Sequence, residues 1–154
     1  MSLLRRLTAV AVFATVASPA AAQSHPLAGA WTIEYQRGLS NENGEITAIM
    51  GTGRLDLAVK GDSLVGTLTP VAGPNAPAAP KPVPLGGVIK GNGATLIAKS
   101  TARVNMNGDE QIVNMTMTWE LVASGDTLSG TMLRVTEGHD MGAAPSAVKG
   151  TRAK

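Results

Sequence analysis

Residues 114–131 read NMTMTWELVASGDTLSGT, and this stretch carries the pattern that decides the fold. Apolar side chains alternate here with threonine and glutamate, at Met115, Met117, Trp119 and Leu121. A period of two gives a β-strand one apolar face and one polar face. The Ser124-Gly125-Asp126-Thr127 step that follows has the chemistry of a tight turn, because glycine adopts a positive φ without strain. The stretch therefore predicts an antiparallel β-hairpin.

The same alternation recurs along the chain between turn residues. It predicts eight strands, near 29–36, 47–60, 63–70, 83–90, 94–105, 110–123, 127–136 and 146–152. No helical stripe of useful length occurs after residue 22. An antiparallel sheet of this size avoids exposed edges by closing on itself. We therefore predict an all-β fold, an eight-stranded antiparallel up-and-down β-barrel.

The connections predict which end of the barrel is open. Short glycine turns at 60–63, 90–93 and 124–127 fall at one end, the floor. The remaining connections, at 37–46, 70–82, 105–109 and 137–145, fall at the other end, and three of them are long. Segment 70–84 contains six prolines, which favours a hairpin loop, with a lid over the mouth as the alternative. The sequence thus predicts a closed floor and an open mouth.

The first 22 residues have the pattern of a secretory signal peptide. Arg5 and Arg6 precede an apolar run of eleven residues, and small residues at Ala20 and Ala22 match a cleavage site. The run is shorter than the roughly 20 residues that span a bilayer, so no integral membrane segment is expected. We predict a signal peptide at 1–22, a single domain at 23–154 and a periplasmic or secreted location.

Composition excludes several classes of function. Removing the leader with its two arginines leaves 11 basic and 11 acidic residues, with no basic cluster to follow a phosphate backbone. Nucleic acid is therefore not an expected partner. The chain has no cysteine, and its two histidines, His25 and His139, lie far apart in sequence. No catalytic residue, metal site or cofactor is predicted, although Glu137, His139 and Asp140 form a polar cluster in a mouth loop.

Two motifs carry a family resemblance. Gly29-Ala30-Trp31 resembles the Gly-x-Trp signature of lipocalins and their avidin and fatty-acid-binding relatives. That resemblance implies that Trp31 lies at the barrel floor with a late arginine, Arg152, packed over it. Trp119 followed by Gly138-His139-Asp140 is similar to the end of bacterial avidins, which implies a pocket wall at Trp119 and a ligand contact at Asp140.

The chain departs from avidins where Leu68 follows Gly66-Thr67, because avidins have a tyrosine there. Biotin is therefore not expected. The glycine turns and the closing Gly150-Thr151-Arg152 look more like small secreted bacterial lipocalin-like barrels.

The predicted function is binding of a small apolar or amphipathic molecule inside the barrel. The candidate ligand-binding residues are Tyr35, Met115, Met117, Trp119, Leu121, Met132, His139 and Asp140. The methionines fill apolar space in this interpretation, since thioethers adapt to irregular gaps. A surface-acting inhibitor or protein-interaction barrel and a cofactor-free cyclase or isomerase are the alternatives. The sequence leaves open whether the interior is hollow or filled.

Overall fold

The computed structural model describes residues 25–73, 80–106, 109–138 and 144–154, with only the backbone at 41, 42, 46, 102 and 104–106. The chain forms a closed antiparallel barrel in which each strand pairs with the next and β8 pairs with β1. The strands are β1 (Gly29–Glu42), β2 (Glu45–Lys60), β3 (Ser63–Pro70), β4 (Val83–Lys90), β5 (Gly93–Met106), β6 (Asp109–Ser124), β7 (Thr127–Thr136) and β8 (Ser146–Arg152). Within the described ranges there is no helix long and apolar enough to cross a bilayer. The predicted all-β, eight-stranded barrel is confirmed. The proposed signal peptide at 1–22 lies outside the described residues.

The prediction of a long loop at 37–46 is wrong. β1 continues to Glu42 and β2 begins at Glu45, so only Asn43 and Gly44 form the turn. Their φ values are 57° and 85°, and positive φ at both central residues is the geometry of a tight type I′ hairpin. An Asn-Gly pair adopts that geometry readily, which is why the strands extend so far.

Two hairpins project beyond the barrel wall at the mouth. We call residues 37–52 the first arm and residues 99–114 the second arm. Among the described residues, β2 pairs with β3 only from Gly53 onward, and β5 pairs with β4 only as far as Ala98. In a ring of eight strands, β1–β2 and β5–β6 stand opposite each other. The mouth is therefore flanked by two antiparallel arms. β3 and β4 are joined through 71–82, where residues 74–79 lie outside the described ranges, so the predicted hairpin loop and its alternative, a lid, stay predictions.

A short segment before β1 closes the floor. The side chain of Leu27 is fully buried there, and its carbonyl oxygen accepts a 2.8 Å hydrogen bond from the indole N–H of Trp31. The Leu27 backbone N–H donates to His25 Nδ1 over 3.2 Å, which leaves His25 Nε2 to donate to the Gly91 carbonyl over 2.8 Å. The segment is thereby attached to the turn between β4 and β5.

Arg152 lies over Trp31 at this floor. Its guanidinium carbon is 4.3 Å from the ring centroid, and the two residues face each other across the β1–β8 pairing. Nη1 and Nη2 donate 2.8 Å hydrogen bonds to the carbonyl oxygens of Ala28 and Pro26. Asp126 Oδ1 is 3.7 Å from Arg152 Nε. The arginine is therefore held by a ring face, two carbonyls and a carboxylate.

Glycines on the inner face let the strands coil tightly around large side chains. Gly87 of β4 lies opposite both Leu64 and Leu96, and Gly130 of β7 lies opposite Leu121. A Cβ atom at Gly130 would collide with the Glu120 carbonyl oxygen of the neighbouring strand. Small residues at these positions therefore permit a narrow barrel whose interior is crossed by leucines.

Candidate functional site

The interior of the barrel is packed at the floor end. Ten inward side chains there are at most 2% exposed: Leu27, Trp31, Ile33, Leu55, Leu64, Leu96, Leu121, Leu128, Met132 and Val148. A side chain that lined a void large enough for water would keep accessible surface. The floor half is therefore filled by side chains and offers no room for a ligand without repacking.

The inward side chains become partly exposed toward the mouth. Register places Val83, Ser100 and Met115 on the inner face, above the buried Leu85, Ala98 and Met117. Val83 and Met115 pack against the core but are not fully covered. We call this region the mouth cup: Tyr35, Met117 and Trp119 form its base, and Val83, Ser100, Met115 and Arg134 form its wall.

The base of the cup contains an aromatic pair. The rings of Tyr35 and Trp119 meet edge to face, with centroids 5.5 Å apart and planes at 60°. Trp119 is only 1% exposed, and its Nε1 is buried with no hydrogen-bond partner among the described residues. An indole N–H usually finds an acceptor when it is buried. The cup base therefore presents a buried donor whose acceptor is missing.

Arg134 places a cation on the inner wall. It lies opposite Met117 on β6 and two residues beyond Met132, where the pairing of β7 with β8 ends. Its Nη2 donates a 3.0 Å hydrogen bond to the Gln36 carbonyl oxygen of β1. Its Nε is buried and has no partner in the described part of the chain. The guanidinium thus bridges β7 and β1 and keeps one buried N–H unpaired.

The charges in the cup influence one another. Burial raises the pKa of the Tyr35 hydroxyl above its ordinary value of 10.0, and the positive charges of Arg134 and Arg37 reduce that rise. Burial lowers the pKa of the Arg134 guanidinium below its ordinary value, and Tyr35 partly counters this. The raised pKa keeps the Tyr35 hydroxyl protonated near neutral pH, and an arginine side chain stays protonated in proteins, so both groups can donate hydrogen bonds.

The structure brings together only part of the predicted site. Tyr35, Met117 and Trp119 meet at the cup base, and Met115 lies on its wall. Met132 lies beside Trp119 across the β6–β7 pairing and is buried.

Two kinds of predicted site residue are not seen in the cup. Leu121 lies deeper in the packed floor half, opposite Gly130 and Ala94. His139 and Asp140 lie outside the described residues, so their predicted ligand contacts stay predictions.

Arg134 was missed by reasoning from the sequence, although a signal for it exists. Every second residue of β7 points into the barrel. Leu128, Gly130 and Met132 are in this series, and Arg134 is its next member. A charged residue at a position that belongs to the apolar face of a strand is unusual, and it therefore signals a candidate functional residue. Ser100 and Val83 carried no comparable signal, because small and β-branched residues are common on both faces.

Other candidate sites in the described residues are weaker. A shallow groove of about 520 Å³ lies on the outer surface over β1, β2 and β3, lined mainly by glycine, alanine and valine. Its one charged lining residue, Asp56, already accepts hydrogen bonds from Arg54 at 3.0 Å. Across the described ranges, no group of three or more histidine, aspartate or glutamate side chains could hold a metal ion.

Comparison of the chain with models of known protein families, with curated proteins and with solved structures gave no match.

Proposed function

We propose that this barrel binds one small amphipathic molecule in the mouth cup. The observation that carries the proposal is the indole N–H of Trp119, which is buried at the base of a partly open cup and lacks an acceptor. Leaving a buried donor unpaired costs about 1–3 kcal/mol. A ligand oxygen can supply the missing acceptor once the side chains that cover the indole move aside, because Nε1 itself has almost no accessible surface, and binding then recovers this cost.

The surroundings of the donor suit the apolar part of such a molecule. Met115, Met117 and Val83 contribute thioether and methyl groups to the apolar inner face toward the mouth. Methionine side chains adapt their shape to irregular ligands. Small binding sites commonly combine an apolar lining with a few polar groups of this kind. The filled floor limits the ligand to the mouth half, which favours a molecule that enters partway rather than one enclosed along the whole axis.

The leader pattern supports export as the setting of this function. Arg5 and Arg6, the apolar run and the small residues before Gln23 match what a signal peptidase reads. We expect a product that begins at Gln23 in the periplasm or outside the cell. The intact mass of the exported protein tests this, and a product that retains Arg5 and Arg6 would contradict it.

A titration with dodecanol, followed by tryptophan emission, tests the binding proposal. A saturable change with one molecule per chain is expected, because Trp119 lies at the cup base. Ser100→Phe fills the cup from its inner wall, so binding should weaken by about tenfold or more. The matched control is Thr101→Phe on the adjacent outward position of β5, which should bind as the parent does.

Two results would overturn the proposal. Flat titrations of the parent with dodecanol and with the neutral dye Nile red would do so. Equal binding by the Ser100→Phe and Thr101→Phe variants would place the ligand elsewhere. Either outcome would favour the surface-interaction alternative, for which the projecting arms offer exposed side chains such as Ile112.

A further inference from the structure

Two arginines of the described chain lie on the inner side of the barrel, and their surroundings differ. Arg152 at the floor is held by two carbonyl oxygens, the face of Trp31 and the carboxylate of Asp126. Arg134 at the mouth has one hydrogen bond to a carbonyl and a buried Nε without a partner. A buried cation is stable only when it is well paired. Of the two arginines, Arg134 is the one whose hydrogen bonding is incomplete.

No carboxylate in the described chain pairs with Arg134. The ion pairs found there are Arg54 with Asp56, Arg103 with Glu110, and Arg152 with Asp126. Tyr35 and Gln36 of β1 and Met117 of β6 lie beside Arg134, and none of these three carries a negative charge at neutral pH. The described part of the inner wall therefore presents a positive charge without a counter-charge.

A second arginine adds to this positive potential at the rim. Arg37 is the extra residue of a β-bulge in β1, where the register with β2 shifts between Gln36 and Gly38. A Cβ atom at Gly51 would lie 3.0 Å from Arg37 Cδ, so the arginine stem crosses the glycine that faces Tyr35. A bulge commonly redirects a side chain in this way. The guanidinium groups of Arg134 and Arg37 therefore both lie close enough to the Tyr35 hydroxyl to make the electrostatic potential of the cup more positive.

From this geometry we propose that the ligand of the mouth cup is an amphipathic organic acid whose carboxylate pairs with Arg134. This inference rests on the proposed function and names the head group of its ligand. A guanidinium has a planar array of N–H donors that matches a carboxylate, and the free Nε is part of that array. The carboxylate lies at the height of Arg134, and the apolar chain contacts Met115, Met117 and Val83.

Ligands that share one chain and differ in head group provide the test. Dodecanoate, dodecanol and dodecylammonium are titrated below their critical micelle concentrations and followed by calorimetry and tryptophan emission. Dodecanoate is expected to bind about 10- to 100-fold more tightly than dodecanol, since a charge-assisted hydrogen bond replaces a neutral one. Dodecylammonium is expected to bind most weakly.

Variants of Arg134 locate the effect. Arg134→Met keeps an unbranched apolar stem and removes the guanidinium with its charge, so it should abolish the preference for dodecanoate while dodecanol still binds. The matched control is Arg103→Met, which removes an exposed arginine of the second arm and should leave the preference intact. If Arg134→Met fails to fold, the ranking of the three ligands on the parent protein still decides the question.

The outcomes separate this inference from the proposed function. Equal binding of dodecanoate and dodecanol, or tighter binding of dodecylammonium, would overturn the acid proposal and leave the binding function standing. A preference for dodecanoate that persists in Arg134→Met would assign the carboxylate to another group and also overturn it. Absence of binding by all three would overturn both.

Discussion

The floor and mouth halves of this barrel contain the same kinds of polar side chain, but these side chains differ in how completely their N–H groups are hydrogen-bonded. Each half has a tryptophan and an arginine at inward positions of the strands, Trp31 and Arg152 at the floor and Trp119 and Arg134 at the mouth. At the floor, Trp31 and Arg152 bond to carbonyl oxygens of the closing segment and to each other. At the mouth, Trp119 and Arg134 each keep a buried N–H without a partner in the described chain. Complete pairing marks a structural site, and incomplete pairing marks a place where a second molecule can complete it.

The largest effect is expected at the floor. Trp31→Ala removes a fully buried ring that contacts Arg152 and bonds to Leu27, so the free energy of unfolding should fall by about 3–5 kcal/mol. Denaturant midpoints with unchanged slopes measure this. A midpoint equal to that of the parent would mean that the floor does not hold the barrel closed.

Glycines of the inner wall provide the next test of how tightly the barrel is packed. A Cβ at Gly87 would collide with the Thr95 carbonyl oxygen and lie 2.9 Å from the Leu96 Cα. Gly87→Ala should therefore destabilise the fold by about 1–3 kcal/mol. Gly86→Ala is the matched control on the adjacent outward position, where the nearest atom to a Cβ is 3.5 Å away. Equal unfolding free energies for the two variants would contradict the close packing of β4 against β5.

A pair of arginine variants compares the two halves directly. Arg152→Met loses two hydrogen bonds from a charged group and the ring contact, so stability should fall by about 1.5–3 kcal/mol. Arg134→Met removes an incompletely paired cation, so stability of the ligand-free protein should stay level or rise. Thermal or denaturant unfolding measures both. A larger loss for Arg134→Met than for Arg152→Met would contradict the proposal that the floor is the structural half and the mouth the ligand-binding half.

The smallest effect concerns pH. Because burial raises the pKa of Tyr35 in the folded protein above 10.0, its neutral form contributes stability that is fully present below pH 10 and is lost as pH rises through the folded pKa. Tyr35 is the one tyrosine of the chain, so its ultraviolet titration is unambiguous.

Two variants sharpen this titration. Tyr35→Phe should lack the alkaline loss of stability that Tyr35 causes. Arg134→Met should raise the pKa of Tyr35 further, since the arginine lowers it. A decrease in that variant would contradict the proximity of the two groups.

Strand positions could be predicted from the sequence because alternation and glycine turns act locally. The prediction failed in β1, where the bulge at Arg37 shifts the alternation so that the pattern no longer reads as one strand. The Asn43-Gly44 pair was the signal that would have corrected it.

The candidate site was less accessible to the same reasoning. The alternation of residues along β6 and β7 places Trp119 and Arg134 on the inner face, and this alternation can be read from the local sequence. Their missing partners depend on the closure of β7 toward β1 and on the point where β8 begins, both of which are set by contacts between residues far apart in the chain. Pairing of buried groups therefore becomes visible only in the folded barrel.

The most direct test of the difference between the two halves is an NMR titration that follows the two indole N–H signals of the chain. Trp31 Nε1 already donates to Leu27, while Trp119 Nε1 has no described acceptor. Addition of dodecanoate should move the Trp119 signal downfield in a saturable manner and leave the Trp31 signal in place. A static Trp119 signal, or equal movement of both signals, would contradict a ligand held at the mouth cup.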